Sequence, residues 1–270
     1  MSNILFVLFQ GSGTNLKSWN EYTESKFLDK LKKLGDIYTY QDKIHNIWYY
    51  DKSNPEYKDY DSDIDIDLAY IKPNTHIKMV YNDILNKYKN IKDYKLIPVG
   101  FSAGGYLALY FAQVYSSLCK CVILLDPALW TKDNMKLRLK SLKNDKAGYL
   151  YPITNSQYNQ ILNKLKNKNI DIEDIYKINN IHNIIRSEFI AKKLKLSLPI
   201  KTLAFVNIQK PEKDEKSKDF NNKTRLEEVK ILQKLNPENY KAYIFENKNH
   251  YIFNKKQPAK EIIKKIKNIL

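Results

Sequence analysis

The chain has 270 residues, 43% of them hydrophobic, so it is long enough to bury the core of one large domain or two small ones. Its mean hydropathy is −0.57, and no apolar run approaches the roughly 18 residues of a membrane-spanning helix. Basic residues outnumber acidic ones by 46 to 30, which gives a formal net charge of +16. A charge of this size raises the question of an anionic partner.

The type of basic residue argues against nucleic acid as that partner. All but three of the basic residues are lysine, and the arginines are Arg138, Arg186 and Arg225. Recognition of base edges and phosphates relies largely on arginine, and these lysines are spread along the whole chain. We therefore expect a solvated basic surface, with weak binding to an anionic surface left open.

The chain start and the cysteines indicate a cytoplasmic location. The apolar run at residues 4–9 has no basic leader and no small-residue cleavage site, which favours a strand over a signal peptide. Cys119 and Cys121 are the only cysteines. Side chains two positions apart on a strand point the same way and do not bridge easily. We expect a reducing compartment.

In chain order, apolar runs of strand length alternate with segments of helical periodicity. Strands are predicted at residues 4–9, 36–41, 95–100, 121–125, 198–209 and 240–245. Helices are predicted at residues 18–34, 75–90, directly after Ser102, around 226–235, and near the C-terminus with Ala259, Ile262, Ile263 and Ile266 inward. This repeat predicts one α/β domain over residues 1–270, with a mostly parallel sheet of about six strands flanked by helices.

Two segments depart from this alternation. Residues 127–198 carry several short helical patterns and no convincing strand, so we expect a helical cap inserted over the strand ends. An acidic run at residues 59–67 suggests a calcium loop. However, Ile66 and Lys72 stand where an EF-hand loop requires glycine and glutamate, so no metal site is predicted.

The stretch around Ser102 carries the clearest chemistry. Residues 95–105 are KLIPVGFSAGG, so a strand enters the pattern Gly-x-Ser-x-Gly and a helical pattern begins at once. Such a turn holds its serine in a strained conformation, and glycines two residues to either side avoid clashes with the neighbouring strand and helix. Ligands of parallel sheets bind beyond the carboxyl ends of the strands, where Ser102 would lie.

A nucleophilic serine needs a base, and the base needs a carboxylate that orients it. Of the four histidines, His250 follows the last predicted strand in a loop that can return to the sheet edge near Ser102. The carboxylate candidates, in order of preference, are Asp214, Glu212 and Asp219 after the penultimate strand, and then Asp126 one strand earlier.

Backbone N–H groups should stabilise the oxyanion that would form on a substrate. Ala103, which follows the serine, is predicted to supply one donor. The second donor should come from the loop after the first strand, from Ser12 or Gly11.

The order Ser102, acidic loop, His250 on a strand–helix repeat resembles the α/β-hydrolase superfamily over nearly the whole chain. The resemblance implies a serine hydrolase that acts on a small or lipid-like acyl ester or thioester and needs no cofactor. Two places depart from the family pattern: Gln10-Gly11 stands where His-Gly is common, and residues 211–214 replace G-x-x-D. The alternative is a non-catalytic binding protein on the same scaffold, whose charge of +16 would attract RNA or anionic lipid.

Overall fold

The computed structural model describes residues 3–11, 19, 24–39, 73–129, 160, 163, 194–208, 216–246 and 250–270. Six strands lie within these ranges: β1 (Asn3–Phe9), β2 (Asp36–Thr39), β3 (Tyr94–Phe101), β4 (Cys121–Leu125), β5 (Lys201–Ile208) and β6 (Tyr240–Glu246). The α-helices in these ranges are α1 (Phe27–Lys32), α2 (Pro73–Lys87), α3 (Gly104–Val114), α4 (Lys216–Leu235) and α5 (Lys256–Lys267). None of these helices is both long enough and apolar enough to cross a membrane.

The six strands form one sheet in the order β2-β1-β3-β4-β5-β6. Every neighbouring pair is parallel. The fold class predicted from the sequence is therefore confirmed. Because all strands run the same way, the segments that follow β1, β3, β4, β5 and β6 leave from one common edge of the sheet.

The central strands are buried on both faces, which explains their apolar sequences without alternation. All five residues of β4 are buried. One face of the sheet packs in a core that includes Phe27 of α1 and Ile262 of α5. On the other face, the rings of Phe9 in β1 and Phe111 in α3 lie 5.5 Å apart. The four apolar residues predicted to face inward from the C-terminal helix are buried.

The first helix is the clearest difference from the sequence prediction. Within the helix predicted at 18–34, Trp19 is helical, residues 24 and 25 form a turn, and α1 begins at Phe27. Lys26, which precedes α1, has a φ of 49° in the left-handed region. The apolar spacing predicted α1 correctly, because Phe27, Leu28 and Leu31 form its buried face. These residues all follow the turn, so their spacing carried no signal for it.

The chain divides into two compact units. The first comprises Met1–Gln41, Ile77–Leu129 and Leu194–Leu270, and it contains the sheet. The second comprises Asp42–His76 and Trp130–Lys193. Most of the predicted cap at residues 127–198 lies outside the described residues, so the cap stays a prediction.

Both cysteines lie in the first unit and are free and buried. Cys121 begins β4, and Cys119 pairs with Leu96 of β3 in an isolated parallel bridge. Burial raises the pKa of each thiol to about 12, so neither is a reactive thiolate near neutral pH.

Candidate active site

Ser102 occupies the turn between β3 and α3. Strand β3 runs directly into the turn, and α3 begins two residues later at Gly104. Ser102 has a φ of 49°, a conformation that residues other than glycine rarely adopt. Its N–H donates to the carbonyl oxygen of Leu125 in β4 at 3.0 Å, and its own carbonyl accepts from the N–H of Gly105 at 3.1 Å. These bonds hold the turn at the carboxyl end of the sheet.

The glycines two residues before and after Ser102 are required by close packing. A Cβ on Gly100 would lie 2.6 Å from the carbonyl oxygen of Gly104. A Cβ on Gly104 would lie 2.2 Å from the carbonyl oxygen of Phe9, at the end of β1. Real Cβ atoms essentially never approach other atoms within 3.0 Å, so both positions exclude a side chain. The physical reason given for the Gly-x-Ser-x-Gly pattern therefore holds in the structure.

The segment after β1 lies against the side chain of Ser102. A Cβ added to Gly11 would come within 2.9 Å of the Ser102 Cβ. Among the described residues, the N–H of Ala103 has no hydrogen-bond acceptor. Two of the three predicted oxyanion-hole residues, Gly11 and Ala103, thus flank Ser102, and the third, Ser12, lies outside the described residues.

His250 follows β6 and packs against the residue that precedes the serine. Its imidazole and the ring of Phe101 have centroids 4.8 Å apart. Phe101 also contacts Tyr251 and Phe253, with centroids at 4.9 and 5.1 Å. The side chain of His250 is 37% exposed. This aromatic packing therefore holds the imidazole at the carboxyl end of β3, with part of its side chain exposed.

The carboxylate that contacts His250 belongs to Asp126, the first residue after β4. Its Oδ2 lies 2.6 Å from Nδ1 of His250. Its Oδ1 accepts the backbone N–H of Asn207 at 2.9 Å. Nη1 of Arg225 lies 2.8 and 2.9 Å from the two oxygens. When Nδ1 of a neutral imidazole donates to a carboxylate, Nε2 is left as the proton acceptor that a base requires.

Backbone strain is concentrated at this site. Among the described residues, the non-glycine residues with positive φ are Lys26, Ser102 and Asp126, and Asp126 has a φ of 42°. Each such residue costs on the order of 1–3 kcal/mol, and strain of this kind clusters at functional sites. The serine and the carboxylate are therefore both held in conformations that the surrounding structure must impose.

The sequence ranked the acidic candidates differently. Asp214 and Glu212 lie outside the described residues, and Asp219 lies in α4 with its side chain undescribed, so their predicted roles stay untested. Asp126 was ranked last, although an aspartate directly after five buried apolar residues at the carboxyl edge is a recognisable signal. The sequence did not predict the contact between Arg225 and Asp126, because no pattern around Arg225 indicates a partner 99 positions away.

Comparison with known proteins agrees with this architecture. A family model described as the alpha/beta hydrolase fold matches residues 52–168. A lipase-esterase related protein from Clostridium acetobutylicum has a similar structure, with a TM-score of 0.56, 20% identity and coverage of 100% of this chain and 95% of that chain. No curated protein matches the chain in sequence.

Two further solved structures have the same fold at lower identity. An esterase from a marine microorganism has a TM-score of 0.54 at 14% identity, with 100% of this chain and 96% of that chain covered. A serine hydrolase involved in carbazole degradation has a TM-score of 0.54 at 13% identity, with 99% and 90% covered. The chain therefore has the α/β-hydrolase fold.

Proposed function

We propose that this protein is a serine hydrolase that cleaves a carboxylic ester or thioester through an acyl-enzyme on Ser102. The observation that carries the proposal is the 2.6 Å contact between His250 and the buried carboxylate of Asp126, at the sheet edge where Ser102 stands in a strained turn. A histidine oriented by a carboxylate beside such a serine is the arrangement that activates a hydroxyl nucleophile.

The proposal assigns each of these groups one role in the reaction. Oγ of Ser102 attacks the acyl carbonyl while Nε2 of His250 takes its proton, and Asp126 stabilises the imidazolium that forms. The N–H of Ala103 and an N–H from the segment after β1 stabilise the oxyanion. His250 returns the proton to the leaving alcohol or thiol. A water molecule, deprotonated by His250, then releases the acid and restores Ser102.

Asp126 takes the role for which the sequence favoured Asp214. The reason is its geometry, since its carboxylate is wholly buried and already directed at Nδ1 of His250. The substrate class is supported by the similar structures, two of which are described as a lipase-esterase related protein and an esterase. These structures are only 20% and 14% identical to this chain, so they share its fold, and the ester class is the part of the proposal that substrate assays test.

A fluorophosphonate probe tests this proposal, because it reacts only with an activated serine. We expect stoichiometric labelling that peptide mapping assigns to Ser102, and hydrolysis of p-nitrophenyl acetate or butyrate. Ser102→Ala should abolish labelling and lower turnover by up to ~10⁶-fold. Ser197→Ala, at an exposed serine, is the matched control and should behave like the wild type.

Equal turnover by the wild type and Ser102→Ala would refute the hydrolase. If no labelling occurs and the protein instead shows salt-sensitive retention on RNA or anionic vesicles, the charge of +16 would support the binding protein considered from the sequence.

A further inference from the structure

The carboxylate of Asp126 is held by more than its contact with His250. Oδ1 accepts hydrogen bonds from the N–H of Asn207 at 2.9 Å and from Nη1 of Arg225 at 2.8 Å. Oδ2 lies 2.6 Å from Nδ1 of His250 and accepts a hydrogen bond from the same Nη1 at 2.9 Å. A carboxylate offers about four lone-pair positions, and four contacts from three residues fill them. One nitrogen of Arg225 therefore bridges both oxygens.

Arg225 supplies the only formal positive charge among these donors when His250 is neutral. The side chain of Asp126 has no exposed surface. A buried carboxylate that faces only neutral donors is poorly stabilised, and it tends to turn toward solvent. This change would remove the acceptor that His250 needs. The guanidinium counters this tendency at a distance of 2.8 Å.

Arg225 is itself anchored to the sheet. It lies in α4, and its side chain is 23% exposed. Nη1 also donates to the carbonyl oxygen of Asn207 in β5 at 2.9 Å. The backbone of Asn207 thus accepts from the guanidinium and donates to the carboxylate. These hydrogen bonds link α4, the end of β5 and Asp126.

We propose that Arg225 is a positioning residue, which holds the negative carboxylate of Asp126 with Oδ2 directed at His250. The inference rests on the proposed function, and it adds to that function a residue that acts without touching the substrate. It predicts that Arg225 affects turnover through Asp126 alone. A merely structural arginine would affect folding, or would affect turnover independently of Asp126.

Steady-state kinetics of Arg225→Met and Arg225→Lys test the inference. Partners that orient a functional group through another residue typically contribute ~10–100-fold to activity, so Arg225→Met should lower kcat in that range and leave KM unchanged. Arg225→Lys should recover part of the loss, because all three contacts come from one nitrogen, which an ammonium one bond short can partly replace. Lys230→Met removes an exposed charge from the same helix and is the control.

A double-mutant cycle separates positioning from a structural role. In an Asp126→Asn background, Arg225→Met should change kcat by less than about threefold, because the group through which Arg225 acts is already lost. An equal loss of kcat in both backgrounds would overturn the inference. An Arg225→Met protein that melts normally and keeps wild-type kcat would also overturn it. The same holds for a folded Arg225→Lys protein whose kcat is no higher than that of Arg225→Met.

A spectroscopic readout keeps this inference distinct from the hydrolase proposal. The proton shared by Nδ1 of His250 and Asp126 should give a low-field NMR resonance, assigned by its loss in His250→Gln. We expect Arg225→Met to shift or remove this resonance and Lys230→Met to preserve it. A resonance unchanged in Arg225→Met would overturn the inference, even in a protein whose Ser102 never reacts with the probe.

Discussion

Replacing Asp126 with asparagine changes one oxygen of the carboxylate into an amide nitrogen and keeps its size. The surrounding groups decide how the amide is oriented. Oδ1 must face the N–H of Asn207, because an NH₂ group there would meet this donor, whereas Nη1 of Arg225 lies near both positions and favours neither. The amide nitrogen is then directed at Nδ1 of His250 and donates to it. His250 is forced into the tautomer that carries its proton on Nε2, which cannot accept a proton from Ser102.

The expected loss is therefore close to that of a triad with the wrong histidine tautomer, which is ~10⁴-fold in kcat. This factor corresponds to about 5 kcal/mol of transition-state stabilisation, since each tenfold is about 1.4 kcal/mol. The assay is hydrolysis of p-nitrophenyl butyrate at 25 °C, with the burst of product release measured separately. Thermal unfolding should show a folded protein, destabilised because Arg225 loses its anionic partner.

Asp214→Asn is the matched control, because the sequence alone favoured Asp214. We expect this variant to retain wild-type kcat. If Asp214→Asn lost ~10³-fold or more while a folded Asp126→Asn protein stayed active, the acid would be Asp214 and the tautomer argument would be refuted.

Other expected outcomes concern the turn and the buried thiols. Gly104→Ala should destabilise the fold by several kcal/mol in urea unfolding, because its Cβ would lie 2.2 Å from a carbonyl oxygen of β1; a wild-type midpoint would contradict this. Gly11→Ala should lower the melting temperature and lose ~10–100-fold in kcat, because its Cβ would lie 2.9 Å from the Ser102 Cβ; unchanged kcat would contradict the placement of Gly11 beside Ser102. Cys119 and Cys121 should resist iodoacetamide at pH 8 in the native protein and react after denaturation, since burial raises both pKa values to about 12. The contribution of the two thiols to the free energy of unfolding should be fully present below about pH 9. It should fall toward pH 12 by up to ~1.4 kcal/mol per pH unit for each thiol. This decline should be smaller when both cysteines are replaced with alanine.

Local patterns accounted for most of the fold. Apolar runs of four to eight residues marked the strands, and 3.6-residue spacing marked the helices, because burial of a face imposes these periods on the sequence. The turn around Ser102 was predictable for the same reason, since close approach to β1 and α3 excludes side chains at Gly100 and Gly104. Helix α1 was misjudged because a turn of two residues leaves no periodic signal.

The sequence by itself determined the parallel sheet, the strained serine turn and the position of His250 after the last strand. Each of these was predicted from patterns among residues that are close together in the chain. Only the tertiary structure decided which carboxylate meets the histidine, because Asp126 and His250 are separated by 124 positions and come together through the order of strands in the sheet. The same holds for Arg225, whose contact with Asp126 depends on how α4 lies beside the end of β5. Pairing between distant side chains leaves no periodic trace in a sequence, and for that reason the structure had to supply it.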